Sequence, residues 1–437
     1  MTRLVDHPSR YVLAAEVHAR LPAELTPPCR ASYLAVLVAA SDRDAELAHL
    51  EKLCERYGVT PPQPGATHFS AALDALRIKW ERHGEFSGYT CFVGGLRPPA
   101  FSEPAMSLLP EGWVDDIPGQ RIVAAHARYV NEFAVDNSLA IEEHFEGNTP
   151  VGGRIGEGVG IALTDFKIHR DGYSRLVLVD TGMSAGQAGR MVQRLFEIEA
   201  YRMLALLGLP LARTLSPQVA ALEQRLMAVT DAIGGNKEVT VTSDERLLAE
   251  LTKLAAEVER ALAGSQYRFG ASRAYYELVR TRIAELREQR LSGVQTIDEF
   301  MTRRLAPALA TCNTVSQRLR DLSDRIAQTS GLLATRVGIA REKQNQALLA
   351  SMEQRAGMQL RLQQAVEGLS IAAICYYMVS LLSLGFSALE EIGVKLNATL
   401  ATGIAIPVVL IIVTLSLRFV RRKVIRRTRA DGDQHGS

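Results

Sequence analysis

The chain has 437 residues, 47% of them apolar and 22% charged, with a formal net charge of +2. That balance excludes a disordered or collagen-like chain and leaves enough apolar material for a proper core. The charge is uneven: the tail after residue 417 carries seven Lys/Arg and two Asp, the first 368 residues sum to −2, and no concentrated basic footprint for nucleic acid exists.

Met1 to Pro8 lack an apolar run, so no secretory signal is read there. The five cysteines, Cys29, Cys54, Cys91, Cys312 and Cys375, form no CxxC pair and suit a reducing compartment. In Glu16-Val17-His18-Ala19-Arg20 the polar residues Glu16, His18 and Arg20 recur at every second position. On an extended segment they share one side, where they form a ligand-binding candidate or pair with the domain itself.

Residues 30–207 alternate between strand and helix patterns. An apolar run at 32–40 has strand length, and 42–57 is helical with Ser41 as cap. Residues 77–83 alternate with period two, setting Arg77, Lys79, Glu81, His83 and Glu85 on one face and Ile78 and Trp80 on the other. A solvated outer face is the plain reading; His83 and Glu85 are the ligand candidates, with Asp165 and His169 as further members of a conceivable metal site. Strand patterns follow at 89–93 and 122–130, and Arg170-Asp171-Gly172 signals a hairpin between 158–169 and 173–180. The glycine-rich stretch 152–160 precedes a strand, the wrong order for a dinucleotide loop, and is expected to be a flexible connection. Ser184-x-x-Gln187 caps a helix over 184–207. Short links between strands predict an α+β domain over 1–210 with a mixed, largely antiparallel sheet.

Residues 216–368 predict a bundle and stalk of long helices. Ser216-Pro217 is a start signal, and Gly234-Gly235-Asn236 a stop. A helix over 244–262 and another over 273–291 are expected around a turn bracketed by Gly264 and Gly270, and Thr296-Ile297-Asp298-Glu299 is a capping box. From Ala308 onward Cys312, Val315, Leu319, Leu322, Ile326, Thr329 and Leu333 keep a four–three rhythm, a heptad seam that packs first on the preceding helices. No strong breaker follows, so one helix is predicted from about 308 to 389, roughly 120 Å long.

Residues 369–389 and 396–417 contain no charged residue. Each is near the roughly 20 residues that span a bilayer, which predicts a transmembrane hairpin. The basic residues after it predict a tail at 418–437 on the cytoplasmic side; with two spans, the N-terminus lies there too. Tyr376, Ser380, Ser383 and Ser387 share one face of the first span and lead to Glu390 and Glu391, a stripe suited to helix packing or to lining a pore.

No Walker, HExxH or GxSxG motif is present. The blocks His7-Pro8-x-Arg10-Tyr11, Glu16 to Arg20, Lys79-Trp80-Glu81-Arg82-His83-x-Glu85-Phe86, Thr164-Asp165-Phe166-x-Ile168-His169, Glu197-Ile198-Glu199-x-Tyr201-Arg202-Met203, Glu342 to Gln346 and Val366 to Ser370 resemble a bacterial family of uncharacterised membrane-anchored proteins, a domain of unknown function. That resemblance implies an inner-membrane anchor and assigns no activity. The order of elements is more loosely similar to CorA-type magnesium channels, but Leu384 to Leu389 stand where those carry Gly-Met-Asn. Three functions follow: an oligomeric, non-catalytic scaffold or sensor, self-associating through stalk and first span; a CorA-like divalent-cation channel; or a membrane-tethered enzyme.

Overall fold

The computed structural model describes residues 6–11, 13–14, 22–131, 144–235, 241–391 and 397–432. Contact density divides the chain into a unit ending at Leu333 and a unit beginning at Ala334.

The first unit is built on a nine-stranded sheet. Its strands are β1 (Cys29–Leu37), β2 (His68–Leu73), β3 (Leu76–Arg82), β4 (Phe86–Gly94), β5 (Gln120–Val130), β6 (Val151–Ile155), β7 (Gly160–Thr164), β8 (Ser174–Asp180) and β9 (Gln289–Arg290). They lie in the order β2-β3-β4-β1-β5-β8-β7-β6-β9, antiparallel throughout except for the β5–β8 pair. The short links bear out the mixed sheet. β1 is central and buried on both faces, which explains its unbroken apolar run.

Both faces of the sheet are covered. Helix α1 (Arg43–Tyr57) sets Leu50 and Leu53 against Leu34, Ile78, Trp80 and Tyr89. On the opposite face α2 (Ala185–Leu206) buries Val192, Leu195 and Phe196 against Tyr33, Ala125 and Leu178. Glu46 of α1 is fully buried and accepts hydrogen bonds from Trp80 Nε1 at 3.0 Å, Tyr89 Oη at 2.8 Å and Arg82 at 3.1 Å, so three donors in that core share one carboxylate. The capping box at Ser184 is formed in full, as is the one at Thr296.

The glycine-rich stretch is ordered structure, contrary to expectation. Gly152 and Gly153 lie inside β6, where a Cβ on Gly152 would stand 1.9 Å from the Ala162 carbonyl. Glycine is present because β6 approaches its neighbour closely, and its φ of 150° excludes other residues.

The long helices also differ from the reading of their breakers. Helix α3 (Gly208–Gly234) starts before Ser216 and runs through Pro217. Pro217 and Arg213 are exposed, so the Arg213 carbonyl that loses its helical partner faces water. Helix α4 (Val241–Leu286) is continuous through Gly264 and Gly270, with no turn between them. Both glycines are solvent-facing, and the burial of Val258 and Phe269 outweighs about 1 kcal/mol of lost propensity at each. After α5 (Ile297–Arg304) comes α6 (Ala306–Glu391), the expected long helix. Its seam residues Cys312, Val315, Leu319, Leu322, Ile326 and Leu333 pack on Leu222 and Leu226 of α3 and on Leu251, Leu254 and Val258 of α4.

The second unit holds the rest of α6 and α7 (Ala398–Gly432). Two helices are long and apolar enough to cross a membrane, the second over Thr399–Ser416. Val409 and Val413 are buried, while Leu369, Leu381, Leu384, Leu400 and Ile404 are among the many large apolar side chains left exposed.

Candidate functional site

The polar face of β3 is only partly solvated: Arg77 is exposed, but Lys79 is buried and Glu81 half-buried. Its alternation sends Ile78 and Trp80 toward α1 and Lys79 and Glu81 to the other side, as the period of two requires. There α2 lies over them. The helix presents Gly189, Gln193, Phe196, Glu197 and Tyr201, spaced four, three, one and four, along one face. Between helix and sheet remains a cavity of about 30 Å³, room for one or two waters.

Its walls are aromatic. Tyr33 of β1 stacks on Phe196 with ring centroids 5.1 Å apart, His83 stacks on Phe86 at 4.3 Å, and Phe86 meets Tyr201 edge-on at 6.4 Å. Its floor is charged. Lys79 Nζ stands 3.0 Å from Glu81 Oε1, with both side chains almost fully buried. The buried Glu81 Oε1 therefore has charge compensation from the ammonium but no hydrogen bond. Glu197 accepts from Gln193 Nε2 at 2.7 Å and pairs with Arg282 of α4. Burial, reinforced by Tyr201, Glu197 and Glu81, holds the pKa of the Tyr33 hydroxyl well above the ordinary phenol value.

The candidates named from the sequence separate in space. His83 lines the cavity. Glu85 does not; it forms a two-pronged pair with Arg268 of α4, at 2.8 and 3.2 Å, that fastens the β3–β4 turn to the helix. Burial pushes its carboxyl up, but hydrogen bonds from Tyr267 and Arg268 outweigh that and leave its pKa below the usual value. Glu16, His18 and Arg20 lie outside the described residues. In the second unit Tyr376, Ser380 and Ser387 are exposed and Ser383 is half-buried. Glu390 and Glu391 end α6, and their side chains are outside the described residues.

The conceivable metal site is not assembled. Asp165 and His169 do meet, with Asp165 Oδ2 2.9 Å from His169 Nε2, but their company is Glu146, 3.4 Å from His169 Nδ1, and Asn148. Arg175 closes the group through Glu146 at 2.8 Å. Both imidazole nitrogens are engaged, and Glu85 is held by Arg268 instead. Among the described residues no three His, Cys, Asp or Glu side chains are placed to hold a metal ion.

Ser32 and His126 form the one side chain–side chain serine–histidine pair among the described hydrogen bonds, at 2.9 Å. Both are buried in the sheet, and His126 also stacks on Tyr173 at 3.8 Å. Burial lowers the His126 pKa to about 4. A neutral imidazole enclosed in this way is a core hydrogen bond, since no substrate reaches it.

Sequence reasoning missed Tyr33, Gln193 and Glu197. The available signal was on α2: Gly189, Gln193 and Glu197, four apart, run beside the buried apolar stripe of Ala188, Val192, Phe196 and Ala200.

A family model described as "Protein of unknown function (DUF3422)" matches residues 5–424, and the chain belongs to that family. No curated protein and no solved structure matches the chain, so the looser likeness to CorA-type channels gains no support there.

Proposed function

We propose that this member of the DUF3422 family is a membrane-anchored, oligomeric sensor or scaffold, non-catalytic, with its N-terminal unit on the cytoplasmic side of a bacterial inner membrane. One observation carries the reading: the apolar side chains of the two C-terminal helices are left uncovered, Leu369 at 76% exposure, Leu381 at 70% and Leu400 at 65%. Each leucine left in water forgoes about 1.5–3 kcal/mol, whereas hydrocarbon covers it. The seven basic residues after 417 support a cytoplasmic tail, and an even number of spans puts the N-terminal unit with it. The exposed stripe of Tyr376, Ser380 and Ser387 offers two small hydroxyl side chains and a phenol to a second copy, and small polar residues are a usual packing face between membrane helices. The cavity beneath α2 is the sensing site, and its chemistry is hydrogen bonding and aromatic contact.

Protease treatment of sealed vesicles tests the orientation. The N-terminal unit is digested in inverted vesicles and protected in right-side-out ones; the opposite pattern refutes the reading. Light scattering in detergent is expected to give a multiple of 47.8 kDa, and a strict monomer removes the oligomeric part. A divalent-cation channel is the second reading, favoured by the exposed hydroxyls of Ser380 and Ser387 below Glu390 and Glu391. Magnesium flux into proteoliposomes that is indifferent to Glu390→Ala with Glu391→Ala counts against it.

A further inference from the structure

The segment at 22–25 has no regular secondary structure and crosses α2 as a strap. Leu25 pins it, buried in the core and donating its N–H to the Ala185 carbonyl at 3.0 Å. Ala23 rests on Gly189, where an added Cβ would stand 1.6 Å from the Ala23 carbonyl oxygen. Gly189 lies inside a helix that any other residue except proline would favour, so its lack of a side chain serves the passage of the strap.

The strap is also a shared wall. Ala23 bounds the aromatic cavity, Pro22 and Ala23 bound a cleft of about 370 Å³ beside β2 and β3, and Pro22 bounds another of about 260 Å³ beside α4. Lys79 lines both the cavity and the first cleft; Gln193 and Glu197 line both the cavity and the second. With residues 22 and 23 lifted, the three spaces become one groove across α2.

Inside the cavity the buried Glu81 Oε1, on a side chain 13% exposed, lacks a hydrogen bond, and the Tyr33 ring stands beside it on the wall. An unmet buried acceptor of this kind asks for a ligand or water. Around it stand one ammonium, Lys79, two carboxylates, Glu81 and the Arg282-paired Glu197, and the apolar rings of Phe86, Phe92 and Phe196. We propose that this groove binds a small zwitterion with an apolar body, an apolar α-amino acid, and that the strap seated on Gly189 gates it. The ammonium group donates to Glu81, the carboxylate accepts from Lys79 and the Tyr33 hydroxyl, and the side chain lies against the rings. The closed cavity holds only one or two waters, so the ligand enters by displacing the strap. The inference deepens the sensing part of the proposed function and is independent of the anchor.

Calorimetric titration of the full chain in detergent tests it, with L-phenylalanine and L-leucine as probes and 2-phenylethylamine and 3-phenylpropionate as one-charge controls. At least one amino acid is expected to bind, at least tenfold more tightly than either control. Glu81→Gln is expected to weaken binding at least tenfold and Tyr33→Phe about threefold. In stopped-flow fluorescence with the same amino acids, Gly189→Ala, which unseats the strap while keeping α2 helical by circular dichroism, is expected to speed association at least threefold. Binding by this variant alone equally supports the gate. No heat with either amino acid in wild type and Gly189→Ala overturns the proposal, as does binding indifferent to Glu81→Gln or a control that binds equally well. Unchanged association in Gly189→Ala overturns the gate. Such failures in a protein that remains membrane-bound and oligomeric leave the proposed anchor untouched.

Discussion

Along the single helix α6, Leu322 and Ile326 are each 1% exposed, whereas Leu348 and Leu381 are 60% and 70% exposed. All four side chains are branched aliphatics of the same size, and the surroundings differ. In the unit ending at Leu333, apolar positions recur where α3 and α4 offer partners. In the unit beginning at Ala334, apolar side chains outnumber what its helices can cover. The first unit shows how a chain satisfies water by hiding its apolar surface. The second is suited to a solvent in which hiding is unnecessary.

Substitutions that separate the two regimes are ordered by their expected size. Leu381→Arg together with Leu384→Arg should oppose membrane insertion by about 5–7 kcal/mol, taking about 2.5–3.5 per arginine at mid-span. The membrane-bound fraction of the chain should drop sharply while the melting of the N-terminal unit stays unchanged. Trp80→Ala should do the reverse. It empties a fully buried ring site and should destabilise the N-terminal unit by about 3–5 kcal/mol in denaturant titration, leaving membrane binding alone.

Acid should act on the first region only. His126 keeps a pKa of about 4 in the fold against an ordinary 6.5. Above about pH 6.5 both folded and unfolded chains hold it neutral and its stability contribution is complete. As pH falls toward 4 the unfolded chain takes up a proton that the fold refuses, and on the order of 3 kcal/mol is lost, with no further loss from this group below about 4. His126→Asn should flatten that part of a stability–pH curve; a curve unchanged by the substitution would show that other groups control it. Glu46→Gln should cost about 1–3 kcal/mol, since one amide oxygen cannot serve Trp80, Tyr89 and Arg82 as the carboxylate does. The smallest effect is a gain. Gly264→Ala, on an open helix surface, should stabilise by about 0.5–1 kcal/mol.

The architecture was legible where its causes are local. The nine apolar residues of β1, the two capping boxes and the uncharged C-terminal runs each state their environment within a few neighbouring residues. The errors have distant causes. Lys79 and Glu81 alternate like a wet strand face, and only α2, a hundred residues later, makes them the floor of a cavity. Gly152 and Gly153 resemble a loop until β7 and β9 close in on them. Pro217, Gly264 and Gly270 are helix breakers in isolation, and tertiary burial on either side overrides them. Of the candidate site, His83 was legible; Tyr33 and Glu197 join it only through the packing of α2 on β1, β3 and β4.

The contrast between the two regions is tested most directly by washing membranes that carry the intact chain with alkaline carbonate and assaying pellet and supernatant. Retention of the chain in the pellet, with Leu381→Arg plus Leu384→Arg released, is the result expected of helices whose leucines lie in hydrocarbon. Recovery of the unaltered chain in the supernatant would contradict it.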